Sequence, residues 1–407
     1  MDWKERAEAL AAIATPPGSR WRAPVARTPR HTFVPNWWEP VEGGWARRDG
    51  ASDLGQWLTA AYTNATLVTR IGPLHADHAD PGARASGRPT SSSTLPGLVA
   101  QMFRHASIDD SCTVLDVGAG SGYGTAVLCA RLGDERVTAI DVDPYLVGAA
   151  RRRLGEAGYE PRLIAGDATR PLDGQWDRIV ATVSVRPIPP SWLAALHTGG
   201  RLATTISGMG VILTAEKKPD GTATGRIERD QAMFMGTRTG ADYPQAEHAL
   251  LDRARVEEGE RVERGRYPVV PDVVEAWDVR TMLEIIAPGI THHHTRENGI
   301  RIAIMVHPDG SWARAEERAG EVIVHQSGPR RLWDYLDEVR DHWIRHGLLP
   351  FHGAKVLIRP DGGIELRRGR WTATIGPSSR SGDQATAVGL GIPWGPDQPG
   401  GPMPPSS

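Results

Sequence analysis

The sequence predicts an α/β protein with a doubly wound parallel sheet, an N-terminal cap and a C-terminal α+β domain. Three observations carry this expectation. Short apolar runs alternate with amphipathic helical stretches from Thr113 to Ser207, the first run ends in a glycine-rich turn (Gly118, Gly120, Gly122), and Asp141 and Asp167 follow the next two runs.

The elements follow in order. Val114–Val117 reads as a buried parallel strand, since it is a short apolar run bounded by a glycine turn. Tyr123 to Leu132 reads as a helix stopped by Gly133. Val137 to Ile140 is the second strand, and Asp143-Pro144 supplies an N-cap and a first-turn proline for the next helix. Leu146, Val147, Ala150 and Leu154 keep helical spacing until Gly155. Arg162–Ala165, Arg178–Thr182 and Arg201–Thr205 add three strands, and residues 208–240 read as a hairpin turning at Pro219-Asp220-Gly221. Ahead of this core, a helix over Trp3–Ile13 precedes an irregular, tryptophan-rich stretch. Behind it, a charged connector (Arg253–Arg266) leads to strands at 300–306, 322–325, 355–359 and 371–375 and a helix over 331–345. The expected division is a cap over 1–90, a core over 91–240, an accessory domain over 241–375, and a disordered Gly/Pro/Ser-rich tail over 376–407.

Composition narrows the function. The 407 residues carry 47 Lys+Arg against 49 Asp+Glu, so a net charge of −2 offers no field for nucleic acid. No apolar run approaches the ~20 residues of a membrane span, and the charged start lacks the apolar core of a secretion signal. Two cysteines, Cys112 and Cys129, are too few for a disulfide framework and are expected in the core. A cytoplasmic protein is expected, with neither membrane nor nucleic acid as partner. No lysine lies between Lys4 and Lys217, which excludes a P-loop or Schiff-base lysine from that stretch.

The chemistry concentrates in Asp116-Val117-Gly118-Ala119-Gly120-Ser121-Gly122. Glycines let the backbone approach a ligand, and the helix N-terminus beyond presents free N–H groups. Asp141 stands where a carboxylate accepts ribose hydroxyls, with Val142 beside it; Asp167 and Ala168 follow the third strand, placed for an adenine amino group. A dinucleotide fingerprint needs a sixth-position glycine, but Tyr123 stands there, and Asp116 would repel a pyrophosphate. A zwitterionic methionine tail suits that carboxylate better, so S-adenosylmethionine is the expected cofactor, bound by Asp116, Gly118, Ala119, Gly120, Gly122, Asp141, Val142, Asp167 and Ala168.

These motifs resemble the class I (Rossmann-like) methyltransferases, and specifically the protein-L-isoaspartate O-methyltransferase family. Pro29-Arg30-His31-Thr32-Phe33-Val34-Pro35 is similar to that family's N-terminal signature, Pro96–Met102 to its helix before the glycine loop, Val114–Ala130 to its glycine motif, and Ile188–Leu202 to its fourth-helix and fifth-strand segment. The family's serine ahead of that helix is replaced here by Thr94, within Ser91-Ser92-Ser93-Thr94. The segment Tyr62–Thr69, the hydroxyl run, and Gly310–Ala313 with Gly328–Trp333 resemble a subgroup that accompanies ATP-grasp macrocyclases in graspetide (RiPP) biosynthesis. That resemblance implies methylation of an aspartate in a cross-linked precursor peptide, followed by closure to an aspartimide.

An aspartate with pKa near 3.9 is ionised about a thousandfold over its acid at neutral pH, so no general base is needed. Alignment supplies the rate, and effective molarity can contribute ~7–11 kcal/mol. Ser93 and Thr94 are the expected catalytic hydroxyls; Ser91, Ser92, Trp312 and Trp333 are expected to contact the peptide. The run Ser91–Thr94 also reads as a simple helix N-cap. His292–His294, in a loop, and Leu74–His78 lack the spacing of a metal site, and no metal is expected. The rival functions are isoaspartate repair, a non-catalytic binding protein built on the cofactor fold, and a small-molecule methyltransferase.

Overall fold

The computed structural model describes residues 2–237, 248–265 and 276–376. The expected tail beyond 376 lies outside them. No helix among these residues is long and apolar enough to cross a membrane.

The core runs as α1 (Pro96–His105), β1 (Val114–Val117), α2 (Tyr123–Leu132), β2 (Val137–Asp141), α3 (Pro144–Glu156), β3 (Arg162–Ala165), β4 (Trp176–Val185) and β5 (Leu196–Ile206). It continues through the antiparallel β6 (Val211–Lys217) and β7 (Ala223–Gln231). Each local prediction has a visible cause. All four residues of β1 are buried between helical layers, Asp143 caps α3 by accepting from the Tyr145 N–H, and Gly133 ends α2 at φ +84°. Strands β3-β2-β1-β4-β5 are mutually parallel, in that order. The chain's direction of winding reverses between β1 and β4, which is where a doubly wound sheet opens its ligand crevice.

Three features depart from the sequence reading. The cap is not irregular: residues 36–93 form a six-stranded sheet, and Ser91–Ser93 belong to its strand Pro89–Ser93, paired with Leu67–Ile71. The histidine triplet lies in the strand Thr291–Glu297, not in a loop. The charged connector is structured: a helix, His248–Val256, runs into its start, and a strand, Arg261–Gly265, lies within it.

The accessory segment is divided. Its first part forms a five-stranded antiparallel sheet over 261–327, with α4 (Trp277–Ile286) and α5 (Leu332–Arg345). Its last three strands, β8 (Lys355–Ile358), β9 (Ile364–Arg368) and β10 (Trp371–Ile375), continue the central sheet to ten strands, β8 pairing with β7. Neither expected boundary separates apolar cores. Phe33, Val34 and Trp37 of the cap pack in one cluster with Val114 and Tyr123, and Leu213 and Ile227 share another with Leu283 and Trp333.

Candidate active site

A cavity of about 270 Å³ opens at the C-terminal ends of β1, β2 and β4. One wall is the cap strand carrying Ser91, Ser92 and Ser93, followed by Thr94; another is the segment Met233–Thr237.

The glycine loop forms the floor. Gly118 and Gly120 have φ of +87° and +51°, in the left-handed region that other residues rarely adopt. A Cβ on Gly118 would lie 2.7 Å from Val183 Cγ1. Gly118, Ala119 and Gly120 line the cavity. Gly122 does not line it, contrary to expectation: this residue caps α2 at φ +91°, and a Cβ there would meet Ala150 at 3.1 Å, so its role is close packing.

Asp116 is buried at the cavity wall, with Thr125 Oγ1 donating to it at 2.7 Å. Burial pushes its pKa up to about 6, and the charge of Asp141 adds to the rise. No Lys, Arg or His among the described residues pairs with it. A buried carboxylate without a counter-cation, facing a cavity, fits a ligand that carries positive charge. Asp141 accepts the Gly120 N–H at 2.8 Å and the Asp143 N–H at 3.0 Å, one on each oxygen. These two contacts fix the glycine loop against the end of β2, with the carboxylate at the cavity. Val142 and Leu146 provide an apolar side wall. Asp167 accepts the Thr169 N–H and hydroxyl on a single oxygen, and the carbonyl of Ala168 accepts from Ser191 and Trp192. Apart from Gly122, the residues expected to hold a nucleoside with a cationic tail therefore line one cavity.

Opposite it stands the hydroxyl strand. Thr69 donates to Ser91 Oγ at 3.0 Å, whereas Ser93 Oγ is buried with no hydrogen-bond partner among the described residues. Thr94 is half-buried. Behind them lies Arg30, whose role sequence reading missed. Its fully buried guanidinium donates to the carbonyls of Ala61, Thr63, Ala65, Ser93 and Thr94 at 2.8–3.4 Å. It stands 5.5 Å from the centre of the Tyr123 ring. Burial lowers its pKa to about 10, which leaves it charged at neutral pH. A single cation thus fixes the hydroxyl residues and places positive potential behind them.

Other expectations resolve differently. Trp312 and Trp333 are 1% exposed in the C-terminal core and do not line this cavity, so neither grips a ligand from the surface. His75 and Asp77 are structural: His75 Nε2 meets Asp143 Oδ2 at 2.9 Å, and Asp77 accepts from Arg153, Tyr145 and Asn36, tying the cap to α3. The Met233–Thr237 wall was not foreseen beyond its place near a hairpin. It runs beside the end of β4, with Ser184 N–H donating to Met235 and Thr237 N–H to Ser184.

Residues 78–237 match the family model described as Protein-L-isoaspartate(D-aspartate) O-methyltransferase (PCMT). The protein-L-isoaspartate O-methyltransferase of Gloeobacter violaceus is 35% identical over 220 residues, covering 53% of this chain and 80% of that one. That of Hyperthermus butylicus is 37% identical over 125 residues, covering 28% of this chain and 52% of that one. The chain thus spans about half the length of several curated relatives it matches. A solved protein-L-isoaspartate O-methyltransferase superposes with a TM-score of 0.46 at 18% identity, covering 86% of this chain and 95% of that one.

Proposed function

Because the chain belongs to the protein-L-isoaspartate O-methyltransferase family, whose cofactor is S-adenosylmethionine, we propose that it is a carboxyl O-methyltransferase acting on an aspartate of a ribosomally made, cross-linked peptide of the graspetide type. The observation that carries the reading is the cavity: a cation-seeking carboxylate on one wall and a hydroxyl strand on the facing wall, backed by Arg30.

Asp116 would hold the ammonium of the methionine portion, Asp141 the ribose, and Asp167 with Ala168 the adenine edge. When bound, S-adenosylmethionine supplies an electrophilic methyl group. The rest falls to this chain. Among the described residues lining the cavity there is no His, Lys or Arg, which suits an acceptor that arrives ionised and needs no base. The Ser93 and Thr94 hydroxyls donate to the acceptor's non-attacking oxygen, and Arg30 attracts the carboxylate through the wall without quenching it. Apolar Leu98, Val99 and Phe234 limit water in the cavity. The resulting methyl ester presents its carbonyl to the next residue's backbone nitrogen; the C–N bond forms as methanol leaves with that nitrogen's proton. This closure to aspartimide, and its hydrolysis to isoaspartate, need no further side chain.

The peptide acceptor is supported by the resemblance of Tyr62–Thr69, Ser91–Thr94 and the 310–333 region to the graspetide-associated subgroup, and by more than a hundred residues beyond the segment matched by the family model. A second reading, repair of isoaspartyl proteins, is favoured by the names of the relatives. Incubation with S-adenosylmethionine and either cross-linked aspartyl or isoaspartyl peptides, followed by mass spectrometry, separates them. Methyl gain followed by methanol loss on the cross-linked peptide is expected. Methylation of isoaspartyl peptides alone would assign repair instead.

A further inference from the structure

We propose that a second cavity, between α4, α5 and the β9–β10 hairpin, is a binding site for an acidic segment of the peptide substrate that carries a bulky apolar side chain. Its identification with the substrate rests on the methyltransferase reading above. The cavity measures about 230 Å³ and is walled by Met282, Trp343, Leu349, Phe351 and Trp371. A space of that size accommodates one or two bulky apolar side chains. The cavity reaches the surface at Leu349, which is 38% exposed.

The polar lining has one sign. The charged lining is Arg368 and Arg370, and no carboxylate contributes; the imidazoles of His342, whose pKa burial lowers, and His346 complete the polar lining. Arg368 Nε donates to the carbonyl of Pro350 at 2.8 Å, and neither Arg368 nor Arg370 forms an ion pair among the described residues. This contrasts with the rest of the surface, where arginines commonly meet acids, as Arg345 meets Asp341 and Arg359 meets Glu365. An apolar socket with a cationic rim complements an apolar side chain flanked by carboxylates.

The position favours the substrate over an unrelated partner. Met282 lies on α4, and that same helix is anchored to the catalytic half. Thr281 Oγ1 donates to Met209 O at 3.1 Å, and Arg186, just past β4, donates to the Glu284 carbonyl at 3.0 Å. A peptide held in the socket is therefore fixed relative to the methylation cavity, and two weak contacts on one chain reinforce each other.

The test titrates the full chain, saturated with S-adenosylhomocysteine, with the peptide acetyl-Asp-Glu-Trp-Leu-Glu-Asp-amide, which carries no cross-link. Binding is expected, weakened at least tenfold in the double variant His346→Glu, Arg370→Glu. Both positions are exposed, and unchanged affinity for S-adenosylhomocysteine reports that the variant is folded. Equal binding by wild type and variant, equal binding of a peptide with lysine in place of each acid, or no peptide binding by a protein that takes S-adenosylhomocysteine would each overturn the proposal. Tighter peptide binding by a chain ending at residue 376 would give the socket to the protein's own tail and overturn it as well. Capture of the peptide by a protein with no affinity for S-adenosylhomocysteine would instead sink the methyltransferase reading, and with it the peptide's identity as substrate.

Discussion

Asp116 provides a test in which stability and function move in opposite directions. Burial raises its pKa from 3.8 to about 6. At ~1.4 kcal/mol for each tenfold change in proton affinity, a rise of that size means that ionising Asp116 costs the ligand-free fold roughly 3 kcal/mol more than it costs the unfolded chain. The sign follows from the folded state holding its proton more tightly than the unfolded one. The ligand-free protein gains stability as pH falls from about 6 to about 4, and carries the full cost above 6. Asp116→Asn keeps the shape and an oxygen for the Thr125 hydroxyl, which donates at 2.7 Å in the native site. The variant should therefore be more stable than wild type by about 2–3 kcal/mol at pH 7, with the difference vanishing below pH ~4. Its affinity for S-adenosylhomocysteine should fall about 10- to 150-fold, corresponding to one charge-assisted hydrogen bond of ~1.5–3 kcal/mol. Urea unfolding from pH 4 to 8 without ligand, together with calorimetric titration at pH 7.5, measures both. A variant that is less stable at neutral pH, or that binds as tightly as wild type, would refute the account of Asp116 as an anion awaiting a cation.

Four further outcomes are expected. Asp141→Ala should weaken S-adenosylhomocysteine binding and expose the Gly120 and Asp143 amides to faster hydrogen exchange, because both lose their acceptor. Thr94→Val should lower turnover while leaving calorimetric affinity for S-adenosylhomocysteine unchanged. Arg30→Met should cost several kcal/mol in urea unfolding, since it strands carbonyls at ~1–3 kcal/mol each, and Arg30→Lys should recover only part, because an ammonium cannot span five acceptors. Asp143, hydrogen-bonded to His75, has its pKa lowered to about 2. This depressed pKa contributes stability above pH ~4 that is lost as pH falls towards 2, and acid-unfolding curves of wild type and Asp143→Asn, which retains a cap, should converge over that window.

The core was legible because its signals are local. A buried parallel strand is a short apolar run, a helix start is Asp-Pro, and a ligand-facing turn needs glycine; each is written within a few residues of where it acts. Asp116, Asp141 and Asp167 could be placed because a βα unit fixes where a strand's C-terminal end lies. What escaped was non-local. Arg30 acquires its role from carbonyls 31 to 64 residues away, and the signature around it, Pro29–Pro35, marks the residue without showing that its guanidinium is buried among them. The Ser91–Thr94 run reads as a helix N-cap because hydroxyl residues favour caps and turns, yet pairing with Leu67–Ile71 draws Ser91–Ser93 into a strand. Trp312 and Trp333 were expected at the surface on the strength of interface composition, but large aromatic side chains serve cores equally well.

The continuation of the sheet into β8–β10 changes how the extra length should be understood. An appended recognition domain would contribute its own core and keep its own edge strands. Here β7 finds its partner in β8, more than a hundred residues later, so the catalytic sheet would have an open edge without its C-terminal residues, and an unpaired edge is a liability that folded proteins cover. The same residues bury Leu213 and Ile227 from the catalytic half. Catalytic and accessory parts are thus one cooperative body, and α4 can hold the second cavity in fixed register with the first. Under the proposed function, a rigid spacing of that kind would select among peptides by the distance between their reacting aspartate and a distant acidic segment. Such selection needs no specific contact at the reacting carbonyl, where a methyltransferase has few groups with which to discriminate.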